Sequence, residues 1–123
     1  MPILVSDDAP DIHTTRVKLP PRERSGGRTL VLGDIHGCST ALDLMLQELA
    51  PRRDDVIVTL GDYIDRGPDT RGVLHRLLEL EQSSHLIPLI GNHEILMLDA
   101  RSNLVDPGSW YSVGGRQTMQ SYG

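Results

Sequence analysis

Asp55-Val-Ile-Val-Thr-Leu-Gly-Asp-Tyr-Ile-Asp-Arg-Gly-Pro68 is the stretch whose reading decides the fold. Its apolar run, Val56 to Leu60, is too short for a globular helix and rich in β-branched residues. It therefore reads as a buried strand with both faces covered. The run ends on Gly61, and Asp62, Asp65 and Arg66 follow in a turn punctuated by Gly67-Pro68. Two carboxylates and a guanidinium crowded at a strand end are costly through repulsion and desolvation unless they hold something. Within this stretch alone a local alternative stands beside that one: Asp65 and Arg66 as a loop ion pair, with Asp62 as a turn former.

Upstream the same texture appears. Thr29-Leu-Val-Leu32 is a short apolar run that stops at Gly33-Asp34-Ile35-His36-Gly37. Period-two alternation puts Asp34 and His36 on the same side, and flanking glycines admit a ligand, a pattern that suits a hard or borderline divalent metal. The alternative is a helix-capping Asp and a surface His. Downstream, Leu86 to Ile90 reads as a third strand, which Pro88 makes an edge strand or one with an unused donor. It stops at Gly91-Asn92-His93-Glu94.

Helices fill the intervals. Leu42, Met45, Leu46 and Leu49 form the stripe of an amphipathic helix with Ser39 as N-cap. A second helix starts at Asp69 or Thr70, with Val73, Leu74, Leu77 and Leu78 inward, and Ile95 to Leu98 enter a third. Cys38 reads as a small packing residue, and His75 and His85 as ordinary surface or boundary histidines. The expected fold is α/β, a βαβαβα order with a mostly parallel sheet.

Gly33, Gly61 and Gly91 recur at intervals of 28 and 30 residues, the size of a strand-helix-strand unit. Parallel strands bring all three C-terminal ends to one sheet edge, where ligands of open α/β sheets bind. Asp34, His36, Asp62, Asn92 and His93 would then converge. The chemistry this suggests is a dinuclear site bridged by Asp62, with Asp34 and His36 on one side and the Asn92 amide oxygen on the other. Two ions ~3.5–4 Å apart clamp a phosphoryl group and acidify water for in-line attack on phosphorus. Arg66 offers a planar fork for phosphate oxygens. His93 could protonate the leaving oxygen, oriented by Asp65. Glu94 is read as a cap or brace of the helix start.

Composition sets outer bounds. The chain has 123 residues, 38% of them hydrophobic, with one Trp, three Tyr and no Phe, so the core of this single domain must be Leu, Ile and Val. A net charge of −5 argues against a nucleic-acid partner. The single cysteine excludes an internal disulfide and fits a reducing compartment. No apolar run approaches membrane-spanning length. A cytoplasmic protein without membrane or nucleic-acid partners is expected. Residues 1–27, with Pro2, Pro10, Pro20, Pro21 and Ser25-Gly26-Gly27, read as an extended or flexible arm before a domain over residues 28–123.

Gly33-Asp-Ile-His-Gly37, Gly61-Asp-Tyr-Ile-Asp-Arg-Gly67 and Gly91-Asn-His-Glu94 resemble the first three motifs of the calcineurin-like metallophosphoesterases. The DRG and GNHE forms resemble the phosphoprotein phosphatase branch, which includes bacterial serine/threonine protein phosphatases and diadenosine tetraphosphatases. Trp110, Gly114-Gly115, Thr118 and Ser121-Tyr-Gly123 are similar to the segment that follows GNHE in bacterial members. The resemblance implies Asp34, His36 and Asp62 on one metal, Asp62 and Asn92 on the other, Asp65–His93 as acid dyad and Arg66 on phosphate. It implies two divalent ions, Mn2+ first and Fe or Zn as alternatives. The implied substrate is a phosphorylated protein or a small phosphoester.

Members of the family continue with two further histidine motifs and the second sheet of an α/β/β/α sandwich. The resemblance thus covers the N-terminal half of such a domain, and His13, His75 and His85 do not stand where the later ligands would. Three expectations follow: an uncovered half-sheet capable of self-association, little or no activity in these 123 residues, and a choice between a hydrolase and a non-catalytic module that holds a metal or phosphate.

Overall fold

The computed structural model describes residues 26–123, so nearly all of the arm expected over residues 1–27 lies outside the described residues. Three strands form one sheet: β1 (Thr29–Leu32), β2 (Val56–Thr59) and β3 (His85–Pro88). Their order is β1-β2-β3, and both pairings are parallel, with Thr29 opposite Val56 and Val56 opposite His85. Parallel neighbours need crossovers, which α1 (Ser39–Leu49) and α2 (Thr70–Ser83) supply. After β3 come α3 (Asn92–Arg101), the short α4 (Pro107–Trp110), a kink over Tyr111–Gly115 made at Gly114 (φ 121°) and α5 (Arg116–Tyr122). The fold is α/β with an all-parallel sheet, and Pro88 lies on the edge strand as the sequence implies.

The core lies between one sheet face and the helices. Leu32 and Ile57 pack in one cluster with Leu42 and Leu46 of α1 and Val73, Leu77 and Leu80 of α2. The expectation that β2 is covered on both faces is corrected. Ile57 and Thr59 are buried, but Val56 and Val58 are only half-buried, and Val31, beside Val58, is 57% exposed. The crossover helices serve the Leu32–Ile57 face, so the alternate residues of β1 and β2 remain partly open. The leucine stripes are narrower than read, too, with Met45 and Leu78 exposed.

A second correction concerns Ser39. Cys38 is the N-cap of α1, and the Ser39 hydroxyl donates to Asp69 Oδ2 at 2.6 Å. Asp69 in turn caps α2 by accepting the Gly72 N–H at 2.9 Å. The Ser39 hydroxyl and the Gly72 N–H both hold its carboxyl below the usual range. A cap for one helix thus becomes a tie between two, because the start of α1 faces that of α2.

Away from the strand ends, Asp55 fixes the start of the sheet. Its carboxylate, fully buried, accepts from the backbone N–H and the Nη2 of Arg28, both at 2.7 Å, and from the Arg52 N–H at 2.9 Å. The Arg28 side chain, then the Arg52 N–H, hold the Asp55 carboxyl well below the ordinary carboxylate range. A depressed folded-state pKa stabilises the fold above the unfolded value, ~3.9 for Asp, and that stabilisation is lost as pH falls below it. Asp55→Asn should therefore lower Tm at neutral pH and flatten the fall of Tm below about pH 4, as thermal melts across an acid series would show.

Candidate active site

All three strands run into loops at the same sheet edge, and those loops are bonded to one another. The Ile35 and His36 N–H groups donate to Asp62 O at 3.0 and 2.8 Å, and the Gly37 N–H to Tyr63 O at 2.8 Å. On the other side, the Glu94 carboxylate accepts from the N–H of Asp62 at 2.6 Å, Gly91 at 3.0 Å and Tyr63 at 3.1 Å. Glu94 therefore braces the start of α3, as read, and also the loop after β2. The close approach needs glycine: a Cβ on Gly61 (φ +95°) would lie 2.1 Å from the Gly91 nitrogen. His36, Asp62, Asp65 and Arg66 all have positive φ, between 44° and 74°. Such strain in side-chain-bearing residues persists where surrounding bonds over-determine it and clusters at functional sites.

Among the described residues, one group of His and carboxylate side chains has metal-binding dimensions. Ligand-capable atoms of His36, Asp62 and His93 lie within 4.8 Å of one another. His36 Nδ1 stands 2.8 Å from Ile64 O. A carbonyl only accepts, so Nδ1 carries the proton and Nε2 keeps its lone pair, the arrangement of a metal-ligating imidazole. That nitrogen lies 3.8 Å from Asp34 Oδ2, and the Asp34 side chain is 66% exposed. Asp62 Oδ1 accepts the His93 N–H at 3.0 Å. Imidazole nitrogen beside carboxylate oxygens suits a divalent ion. Asn92 is the exposed first residue of α3.

His93 belongs to that group by distance, yet both ring nitrogens have partners. Its Nδ1 is 2.7 Å from Asp65 Oδ2, and Nε2 is 3.3 Å from Arg66 Nη2. Its ring meets that of His36 edge-on, with centroids 4.7 Å apart. Asp65 thus faces His93, so the loop ion pair with Arg66 that the sequence left open is set aside. Two further partners of Asp65 escaped sequence reasoning. The Trp110 indole N–H reaches both carboxylate oxygens, at 3.0 and 2.9 Å, and the Thr118 hydroxyl reaches Oδ1 at 2.8 Å. Their only signal was a likeness of the Trp110–Gly123 segment to bacterial members.

The sheet edge thus gathers His, Asp and Arg side chains from three strand-loop units. The family model of the calcineurin-like phosphoesterases matches residues 27–120. The chain belongs to that family. It is 40% identical over 89 residues to serine/threonine-protein phosphatase 1 of Salmonella typhimurium, covering 67% of this chain and 39% of that protein. It is 42% identical over 71 residues to the symmetrical bis(5'-nucleosyl)-tetraphosphatase of an Acidovorax strain, covering 56% of this chain and 24% of the relative. A crystal structure provisionally assigned as a diadenosine tetraphosphatase superposes with a TM-score of 0.59 at 28% identity, over 85% of this chain and 44% of that one. The chain thus spans less than half the length of these relatives. No helix among the described residues is long and apolar enough to cross a membrane.

The Glu94 brace is testable without substrate. Glu94→Gln keeps one acceptor oxygen but turns an NH2 toward N–H donors. Leaving buried donors unsatisfied costs ~1–3 kcal/mol each, so a loss of about 2 kcal/mol is expected in denaturant melts.

Proposed function

We propose that this chain carries the first part of the catalytic constellation of a metal-dependent phosphoester hydrolase of the serine/threonine protein phosphatase type. The observation that carries the reading is the alignment of three groups at one sheet edge. His93 is held by Asp65 at 2.7 Å and meets Arg66 at 3.3 Å, with its ligand-capable atom within 4.8 Å of those of His36 and Asp62.

In this reading Asp34, His36 and Asp62 would hold one divalent ion, and Asp62 with the Asn92 amide oxygen a second, manganese by preference over iron or zinc. Bound ions supply Lewis-acid polarisation of the phosphoryl group and acidification of water. The chain's own residues do the rest. Arg66 turns its planar fork to phosphate oxygens. With Nδ1–H committed to Asp65, His93 Nε2 is the ring atom free to serve the leaving oxygen, and it delivers a proton there after first taking one up from water. The protein phosphatase relative favours a phosphoprotein substrate, and the tetraphosphatase relatives make a dinucleotide polyphosphate the alternative among hydrolases. A cytoplasmic location without nucleic-acid or membrane partners belongs to the same proposal. Val31, Leu60 and Ile90 are each 44% or more exposed, and apolar side chains left open along a sheet favour cover by another polypeptide surface, a second copy included.

Manganese titration by calorimetry tests this, with hydrolysis of p-nitrophenyl phosphate, a phosphopeptide and diadenosine tetraphosphate assayed in the same samples. Binding that fails in Asp62→Ala is expected. Turnover in the 123 residues should be weak and should fall ~10²–10⁴-fold in His93→Ala, the range of general-acid catalysis. Turnover indifferent to chelation or to His93→Ala would overturn the reading. Manganese binding with no turnover at all would favour the non-catalytic module.

A further inference from the structure

Asp65 has no exposed surface, and every group around its carboxylate comes from a distant part of the chain. His93 lies 28 residues away, Trp110 45 and Thr118 53. The Thr118 hydroxyl has one proton and two lone pairs. Its oxygen is 2.8 Å from Asp65 Oδ1, accepts the Asp65 N–H at 2.8 Å and is 3.1 Å from Thr70 Oγ1. With its proton given to the carboxylate, Thr118 must accept from Thr70, and the set of donors closes. The Trp110 indole is seated by Gly115, where a Cβ would come within 2.5 Å of the ring. The neighbouring Gly114 carbonyl accepts the Arg66 N–H at 3.2 Å. One segment, Trp110 to Thr118, therefore grips two consecutive residues of the β2 loop.

We propose that Trp110 and Thr118 are positioning residues for the acid dyad. Their two donors saturate the outer side of the Asp65 carboxylate, which fixes its rotation and leaves Oδ2 facing His93 Nδ1. The imidazole is then held as the Nδ1–H tautomer, with Nε2 turned toward Arg66 and the His36–Asp62 group. Neither residue touches the groups at the sheet edge that face substrate; both act through Asp65. The inference rests on the dyad assignment made above and adds the residues that hold it.

The test uses the full 15N-labelled chain at one fixed neutral pH, reading the His93 imidazole and the indole N–H of its single tryptophan. In the wild type, His93 should show a Nδ1 proton protected from solvent exchange, and the indole resonance should move in Asp65→Asn. Thr118→Val keeps the shape and removes the hydroxyl; Trp110→Phe keeps the ring packing and removes the indole donor. Each should speed exchange of the His93 Nδ1 proton about tenfold, the equivalent of one hydrogen bond to a charged group. Thr118→Ser should restore protection. Ser121→Ala removes the bonds of that hydroxyl to the Arg71 N–H and to the Thr118 backbone carbonyl while leaving the Thr118 hydroxyl in place, and should leave the proton unmoved. If Trp110→Phe fails to fold, the Val and Ser variants of Thr118 decide the matter. Protection unchanged in Thr118→Val would overturn the inference while the dyad stands. A wild-type His93 without a protected Nδ1 proton would remove the dyad itself, and the inference with it.

Discussion

The Glu94 carboxylate, accepting backbone N–H groups from both Gly91 and the Asp62–Tyr63 turn, is the interaction on which the sheet edge depends. It sits 9% exposed at the start of α3, so its bonds are made largely out of water. Through it the position of α3 dictates the path of the loop after β2. That loop's Asp62 carbonyl receives the Ile35 and His36 N–H groups, so the loop after β1 is dictated in turn. Positive φ at Asp62, Asp65 and Arg66 costs of order 1 kcal/mol or more at each residue. Hydrogen bonds to a charged acceptor, at ~1.5–3 kcal/mol each, are large enough to offset that strain. Without the carboxylate the loop would relax toward ordinary turns, and Asp62 and His36 would separate.

What could be read from the chain was local or periodic. β2 was legible because Val56-Ile-Val-Thr59 admits no helix of useful length, and its parallel neighbours because the same glycine-terminated pattern recurs at regular spacing. His36, Asp62 and His93 were legible as a group for the same reason, since parallel strands leave their ends at one edge. The missed features share a different cause. Ser39 looks like a helix cap on its own helix, and only the approach of α2 shows that its hydroxyl donates to Asp69. The half-open face of β2 depends on where helices settle, which a uniform Val/Ile run does not specify. Trp110 and Thr118 reach Asp65 across 45 and 53 residues, beyond any spacing rule.

Carboxylates in this fold divide by how fully protein donors occupy them, and that division sorts scaffold from site. Asp55 is filled by Arg28 and Arg52, Glu94 by the N–H groups of two loops, and Asp65 by His93, Trp110 and Thr118. Each is buried, and a buried anion so surrounded is stable without an external cation. Asp34 is different. Its side chain is two-thirds exposed, and it faces His36 Nε2 at 3.8 Å, a nitrogen that Ile64 O has already set as a lone-pair donor. Asp62 stands between the two types, giving Oδ1 to the His93 N–H while its backbone anchors both loops. A cation at this edge would meet ligands whose orientation is already set by saturated carboxylates behind them. The free energy of organising the site is thereby drawn from folding rather than from binding.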